Sequence, residues 1–183
     1  MLTTGISFTN FKINKKLSIV KKNLISILKI KNEVLNSLSQ DYKSSFNKKF
    51  LNKFKRSVDY RVIGMGGSTL GAQTIYDFLN HKTKKNFIFT DNLQANPHEN
   101  KKKFTNLVIS KSGNTIETIV NANILIKRKD KNIFITENKN SYLYHLAEKL
   151  KSDIVHHNNY IGGRYSVLSE VGMLPAELMG LKS

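Results

Sequence analysis

Cysteine is absent from the chain. That excludes a disulfide framework, a thiolate metal site and a thiol nucleophile. Long apolar runs are also missing: none reaches the roughly 18 residues that a membrane-spanning helix needs. Met1 to Thr9 lacks the basic-then-apolar order of a secretory leader, so the expected compartment is the cytoplasm. Acidic residues are few, 13 against 30 basic ones, which gives a formal charge of +17. Arginine is scarce too. Arg56, Arg61, Arg128 and Arg164 are the four present, and the other 26 cations are lysines. The planar guanidinium fork is the better reader of bases and phosphates. Lysines spread along a chain also rich in Asn and Ile point to compositional drift, and this reading does not favour a nucleic-acid partner. The charge still attracts small anions in general.

With 183 residues the chain suits one domain with a real core. Leu17, Val20, Leu24, Ile27, Leu28, Val34, Leu35 and Leu38 recur at helical spacing with lysines between them. They predict one long or two shorter amphipathic helices packing on the domain rather than lying on a membrane surface. Lys43 to Lys55, with Phe46, Phe50 and Phe54, reads as more helix followed by a linker. From Tyr60 the pattern changes. Short β-branched or aromatic runs at 61–63, 87–89, 107–109, 133–135 and 154–155 read as strands. Helical stretches follow around Leu70–Leu79, Ile116–Ile124 and Tyr142–Leu150, while Asn92 to Thr105 reads as a loop. The expected fold is α/β: a five-stranded parallel sheet flanked by helices, doubly wound, preceded by N-terminal amphipathic helices.

In such sheets ligands bind beyond the carboxyl ends of the strands. The third strand runs into Ser110-Lys111-Ser112-Gly113-Asn114-Thr115-Ile116-Glu117-Thr118. Three hydroxyls, an ammonium, a glycine that allows close backbone approach and a helix starting near Thr115 make a phosphate cradle. The first strand ends in Gly64-Met65-Gly66-Gly67-Ser68-Thr69-Leu70-Gly71. Thr69 stands where a dinucleotide fingerprint needs glycine, and Ala72-Gln73 stand where a P-loop needs Lys and Ser or Thr. Asp91, after the second strand, is then a loop cap rather than a ribose-binding acid. What remains is a tight turn offering Gly67 and Ser68 at the same sheet edge. A third stretch, Tyr160-Ile161-Gly162-Gly163-Arg164-Tyr165-Ser166, pairs two glycines with a fixed cation. His156 and His157 are adjacent, so on a strand they face opposite ways and make a poor metal pair. Neither a metal nor a cofactor is expected.

Together these three stretches resemble the phosphoglucose isomerase family. The first two are shared by sugar isomerase (SIS) domains generally, and the third, Asn159 to Gly172, is specific to the family. The resemblance covers about Tyr60 to Leu181. It implies a helical lead-in over residues 1–57 and an SIS-type sugar-phosphate domain over 58–183. The implied substrates are glucose 6-phosphate and fructose 6-phosphate, in glycolysis and gluconeogenesis. Gly67, Ser68, Ser110, Lys111, Ser112 and Thr115 would hold the 6-phosphate, and Gly113 and Asn114 would shape the loop. Arg164 would face the reacting carbons, where charge develops on oxygen. The family's general base, histidine and late lysine belong to a second SIS domain and a C-terminal segment whose motifs are not found here, so the chain reads as an N-terminal portion with little activity alone. Family members are homodimers. Glu117 reads as structural, and Glu170, where the signature has proline or a small residue, as a modifier of the local turn. The other readings are a non-catalytic sugar-phosphate-binding SIS module, a basic nucleic-acid-binding protein and, more distantly, a nucleotide-dependent oxidoreductase.

Overall fold

The computed structural model describes residues 17–36, 39, 42–93, 102–127 and 129–181. Its centre is a sheet of five strands: β1 (Asp59–Ile63), β2 (Asn86–Thr90), β3 (Thr105–Ile109), β4 (Lys131–Thr136) and β5 (Asp153–His156). All neighbours pair in parallel, in the order β2-β1-β3-β4-β5. The helices are α1 (Leu17–Leu28), α2 (Glu33–Asn36), α3 (Lys48–Asn52), α4 (Leu70–Leu79), α5 (Ile116–Leu125), α6 (Tyr142–Lys149) and α7 (Glu170–Met179). The sheet matches the five apolar runs and their expected direction. Most of the expected loop after β2, residues 94–101, lies outside the described residues, as does Leu38.

A parallel sheet is apolar on both faces, and alternate residues of each strand divide between them. Val62, Leu107, Ile109, Ile133, Ile135 and Val155 face one side, where Val171, Leu174, Leu178 and Met179 of α7 pack with Ile75 and Tyr76 of α4. Ile63, Val108 and Phe134 face the other side, against Ala122 of α5 and Leu143 and Ala147 of α6. Buried Arg61 lies on this second side. Its guanidinium donates to the Leu125 carbonyl at 3.1 Å and sits 4.4 Å from the Phe104 ring centroid. It therefore satisfies an end of α5 that no cap residue covers.

Three expectations need correction. First, α1 does not pack on the domain. Its described side chains, residues 18–28, are all exposed, including Ile19, Val20 and Leu24. Short helices gain most of their stability from a buried face, and this one buries none. Second, Lys43 to Lys55 is not a linker. Phe54 is 3% exposed within the main core, Phe46 and Phe50 pack against it, and the Tyr60 hydroxyl donates to the Phe54 carbonyl at 2.9 Å. Spaced aromatics among lysines signalled burial, and the polar positions between them face water. Third, the lysines are not spread in space. β1 is entered past Lys55 and Arg56, β2 past Lys84 and Lys85, and β3 past Lys102 and Lys103. β4 is entered past Lys129 and Lys131, and β5 past Lys151. Because the strands are parallel, an even spacing along the chain becomes a row along one edge.

Candidate active site

The opposite edge, where the strands end, carries the candidate site residues. β1 and β3 are neighbours, yet the chain leaves them in opposite directions. After β1 it enters α4 on one face, and after β3 it enters α5 on the other. That divergence opens a crevice at the carboxyl ends of β1 and β3, the usual ligand position in open α/β sheets. The two strands are tight at this point: a Cβ on Gly64 would lie 2.9 Å from the Ile109 carbonyl oxygen.

Residues 110–115 form a self-closed loop. The Ser110 and Thr115 hydroxyls are 2.8 Å apart, and the Gly113 N–H donates to Ser110 Oγ at 3.2 Å. The Asn114 N–H donates to Ser112 Oγ. Gly113 has φ +69, and a Cβ there would lie 2.2 Å from Ser141 Oγ. The loop is tied to α6: the Leu143 N–H donates to the Gly113 carbonyl, and the Tyr142 N–H to Asn114 Oδ1. Beyond Thr115, the first turn of α5 presents N–H groups without intrahelical partners. Ser110 is buried, Thr115 half-buried and Ser112 exposed, so the hydroxyls line the loop from inside to outside.

Gly66–Ser68 is a single 3-10 turn, in which the Ser68 N–H donates to the Met65 carbonyl. Gly67 abuts the third motif directly. A Cβ there would be 2.3 Å from the Gly163 carbonyl oxygen and 3.2 Å from the Arg164 nitrogen. Ser166 fastens the contact by donating to the Gly163 carbonyl at 2.7 Å. Gly67, Gly71, Gly163, Arg164 and Val167 line a groove of about 460 Å³. Arg164 is exposed and has no ion pair among the described residues. Ser110, Ser112 and Thr115 do not line that groove.

Lys111 joins the two parts. Its ammonium donates to the Asn159 carbonyl at 2.7 Å, just upstream of Gly162 and Gly163, and lies 3.5 Å from Glu137 Oε1. Glu137 also pairs with Lys139. Burial pushes the Glu137 carboxyl up, but Lys139 and then Lys111 bring it below the usual glutamate range. His156 is exposed and His157 buried, so the two do face opposite ways. Burial is the main cause holding the His157 pKa below the ordinary histidine value, and the Lys111 ammonium adds to it. The Asn158 carbonyl, Glu170 and Glu137 act the other way. Unfolded, His157 takes a proton near pH 6.5, whereas folded it does so only at lower pH. Stability is therefore expected to fall as pH drops below about 6.5, by at most about 1.4 kcal/mol per pH unit. Melting curves from pH 7.5 to 5 should show a shallower dependence for His157→Gln; an identical slope would refute the assignment.

Glu137, Ser141 and Glu170 escaped the sequence reading as members of this edge. Glu137 directly follows β4, so the strand-end rule could have found it. Ser141 precedes a helical run and caps α6, accepting from the Tyr144 N–H at 3.4 Å. Glu170 does more than adjust a turn: it is 1% exposed and accepts from the Tyr42 hydroxyl and from the Ser45 N–H and hydroxyl.

Known proteins match this arrangement. The phosphoglucose isomerase family model matches residues 12–182. Glucose-6-phosphate isomerase of Acholeplasma laidlawii (strain PG-8A) is 39% identical over 142 residues, covering 66% of this chain and 33% of the relative. That of Methanocaldococcus jannaschii is 36% identical over 147 residues, covering 72% and 36%. That of Mycoplasma mycoides subsp. mycoides SC is 29% identical and covers all of this chain and 50% of the relative. The chain thus spans a third to a half of the length of these curated relatives. A hypothetical protein of Thermus thermophilus superposes with a TM-score of 0.68 at 22% identity, over 91% of this chain and 44% of that one. Tagatose-6-phosphate ketose/aldose isomerase of Escherichia coli gives 0.55 at 19% identity, over 69% and 39%. The Vibrio vulnificus NanR protein complexed with ManNAc-6P gives 0.57 at 15% identity, over 90% and 64%. The structural likenesses bear on fold alone. The family match runs through all three loops that converge on the carboxyl edge, and on that ground the chain belongs to the phosphoglucose isomerase family.

Proposed function

We propose that this chain carries the phosphate-binding part of a glucose-6-phosphate isomerase site. It holds the 6-phosphate of glucose 6-phosphate or fructose 6-phosphate through Ser68, Ser110, Ser112, Thr115 and the first turn of α5. The observation that carries this reading is the meeting of three loops at one sheet edge, with Gly67 pressed on Gly163 and Arg164. Phosphate at a helix N-terminus is favoured by free N–H groups and the helix dipole. Lys111, bound to Asn159 and Glu137, supplies positive potential and fixes the approach to the Gly162-Gly163-Arg164 turn. Gly113 and Asn114 hold the loop against α6.

Isomerisation moves a proton between C2 and C1 through an enediolate. Arg164 stabilises the oxygen that becomes negative, as a fixed cation does best in a site shielded from water. No carboxylate lines the groove beside Arg164 among the described residues. The chain alone is therefore expected to bind the sugar phosphate with little turnover. In the same proposal it works in glycolysis and gluconeogenesis in the cytoplasm, as one subunit of a homodimer.

Calorimetric titration with fructose 6-phosphate, run beside a turnover assay, tests the reading. Binding is expected, and free fructose should not compete. The double variant Ser110→Ala, Lys111→Met should weaken binding by about 30-fold, close to 2 kcal/mol. Unchanged affinity in the double variant would overturn the cradle assignment.

A further inference from the structure

Net charge in this protein is sorted between the two ends of the sheet. At the site edge Lys111 and Lys139 are matched by Glu137. At the other edge every strand is entered through cations, and the last turn of α6 adds Lys149. Carboxylates are fewer on that side. Asp59 pairs with Lys102, Asp153 with Lys53, and Glu148 with His145. Among the described residues Arg56, Lys84, Lys103, Lys129 and Lys151 are exposed and have no ion pair. A helix C-terminus attracts about one cation in its last turn, which accounts for Lys127, Lys149 and their like but not for the row before the strands. Like charges held side by side repel, so the row is retained against a local electrostatic cost.

We infer that this amino-terminal edge of the sheet is a polyanion-binding face, and that the partner it fits is the phosphate backbone of a nucleic acid, bound without base readout. The row crosses four inter-strand spacings, about 19 Å. That length presents a continuous line of charge, as a phosphodiester chain does. A polar cleft lined by Arg56, Ser57, Asp59, Lys103, Thr105 and Lys131 runs along it. Phe54, Tyr60 and Phe104 are buried, so no ring beside the cleft is offered for base stacking. Lysine, a point charge without the guanidinium fork, dominates the row, which suits phosphate contact rather than base recognition. Membrane insertion is disfavoured, because Val58 is the only large apolar side chain exposed among the strand-entry residues. The face lies at the opposite end of the strands from the sugar-phosphate loops, so both can be occupied together.

The test is fluorescence anisotropy with the full chain and a labelled 20-nucleotide single-stranded RNA, beside a 20-base-pair DNA duplex of random sequence. Both should bind, with affinity falling steeply with salt. If about five phosphates are engaged, the slope of log K against log salt is near −3.5 for the single strand and −4.5 for the duplex. Binding of one nucleic acid and not the other identifies the source of the phosphate and supports the proposal. The variant Arg56→Gln, Lys84→Gln, Lys103→Gln, Lys129→Gln should lose at least tenfold in affinity and flatten the slope, with circular dichroism and fructose 6-phosphate binding unchanged. A control, Lys21→Gln, Lys22→Gln, Lys29→Gln, Lys31→Gln, removes the same charge from the region of α1 and should change affinity less than twofold. Equal losses in both variants would show that total charge, not this face, is responsible, and would overturn the proposal. So would tighter binding to a 20-residue polyglutamate or to phosphatidylserine vesicles than to either nucleic acid.

Discussion

Gly113→Ala should destabilise the protein by about 3 kcal/mol, combining roughly 1 kcal/mol for a side chain in the left-handed region with about 2 for overpacking. Gly113 has φ +69, and the added methyl would sit 2.2 Å from Ser141 Oγ, 2.7 Å from Ser141 Cβ and 3.0 Å from Thr136 Oγ1. The neighbours cannot all retreat. Thr136 ends a central strand, and Ser141 caps α6. Either the phosphate loop opens or α6 shifts, and the Gly113 carbonyl to Leu143 N–H bond is lost in both cases. Thermal unfolding should report a midpoint about 9 °C lower. Adding Ser141→Gly removes the overlap but not the backbone strain, so it should recover about half of the loss. No recovery would mean that strain alone sets the effect.

Glu170→Ala should be nearly as damaging, again about 3 kcal/mol, since hydrogen bonds to a charged group are worth about 1.5–3 kcal/mol each and are not additive. One carboxylate, 1% exposed, accepts from Tyr42 Oη at 3.0 Å, Ser45 N at 2.9 Å and Ser45 Oγ at 3.1 Å. Burial and this negative charge together push the Tyr42 hydroxyl pKa well above its ordinary value, so Tyr42 remains a donor at all working pH values. Alanine leaves three donors facing an apolar helix end. Besides a lower melting point, limited proteolysis should cut between residues 42 and 47 in the variant and not in the parent. Glu170→Gln keeps the size and one acceptor, and should show a smaller version of both effects. A variant as protease-resistant as the parent would show that the Phe46, Phe50 and Phe54 packing suffices to hold the segment.

The sheet was legible because its signal is local. Each strand is a short β-branched run, and each phosphate-loop residue stands beside the strand that positions it. The convergence of Ser110 and Gly67 on one edge followed from parallel strands alone. What stayed hidden depends on contacts distant in sequence. Nothing near Glu170 announces that its partners are Tyr42 and Ser45. Lys111 looks like a bare phosphate ligand until the fold brings Asn159 and Glu137 to its ammonium. The lysine row is invisible in a linear reading, since regular spacing and random drift look alike until strand direction is known. Burial of α1 was the converse error: an apolar stripe states that a face wants cover, not that this domain supplies it.

The packing of Gly67 on Gly163 has a bearing on how the molecule is born. Ser166 reaches back to the Gly67 carbonyl across 99 residues, and Glu170 reaches Tyr42 across 128. During synthesis at about 5–20 residues per second, the turn after β1 waits about 5–20 s for the segment that completes it. Until then the nascent sheet has one uncovered face and an unshaped pocket. Ligand competence should therefore arrive late and all at once, when α7 emerges from the ribosome and closes over the first strand.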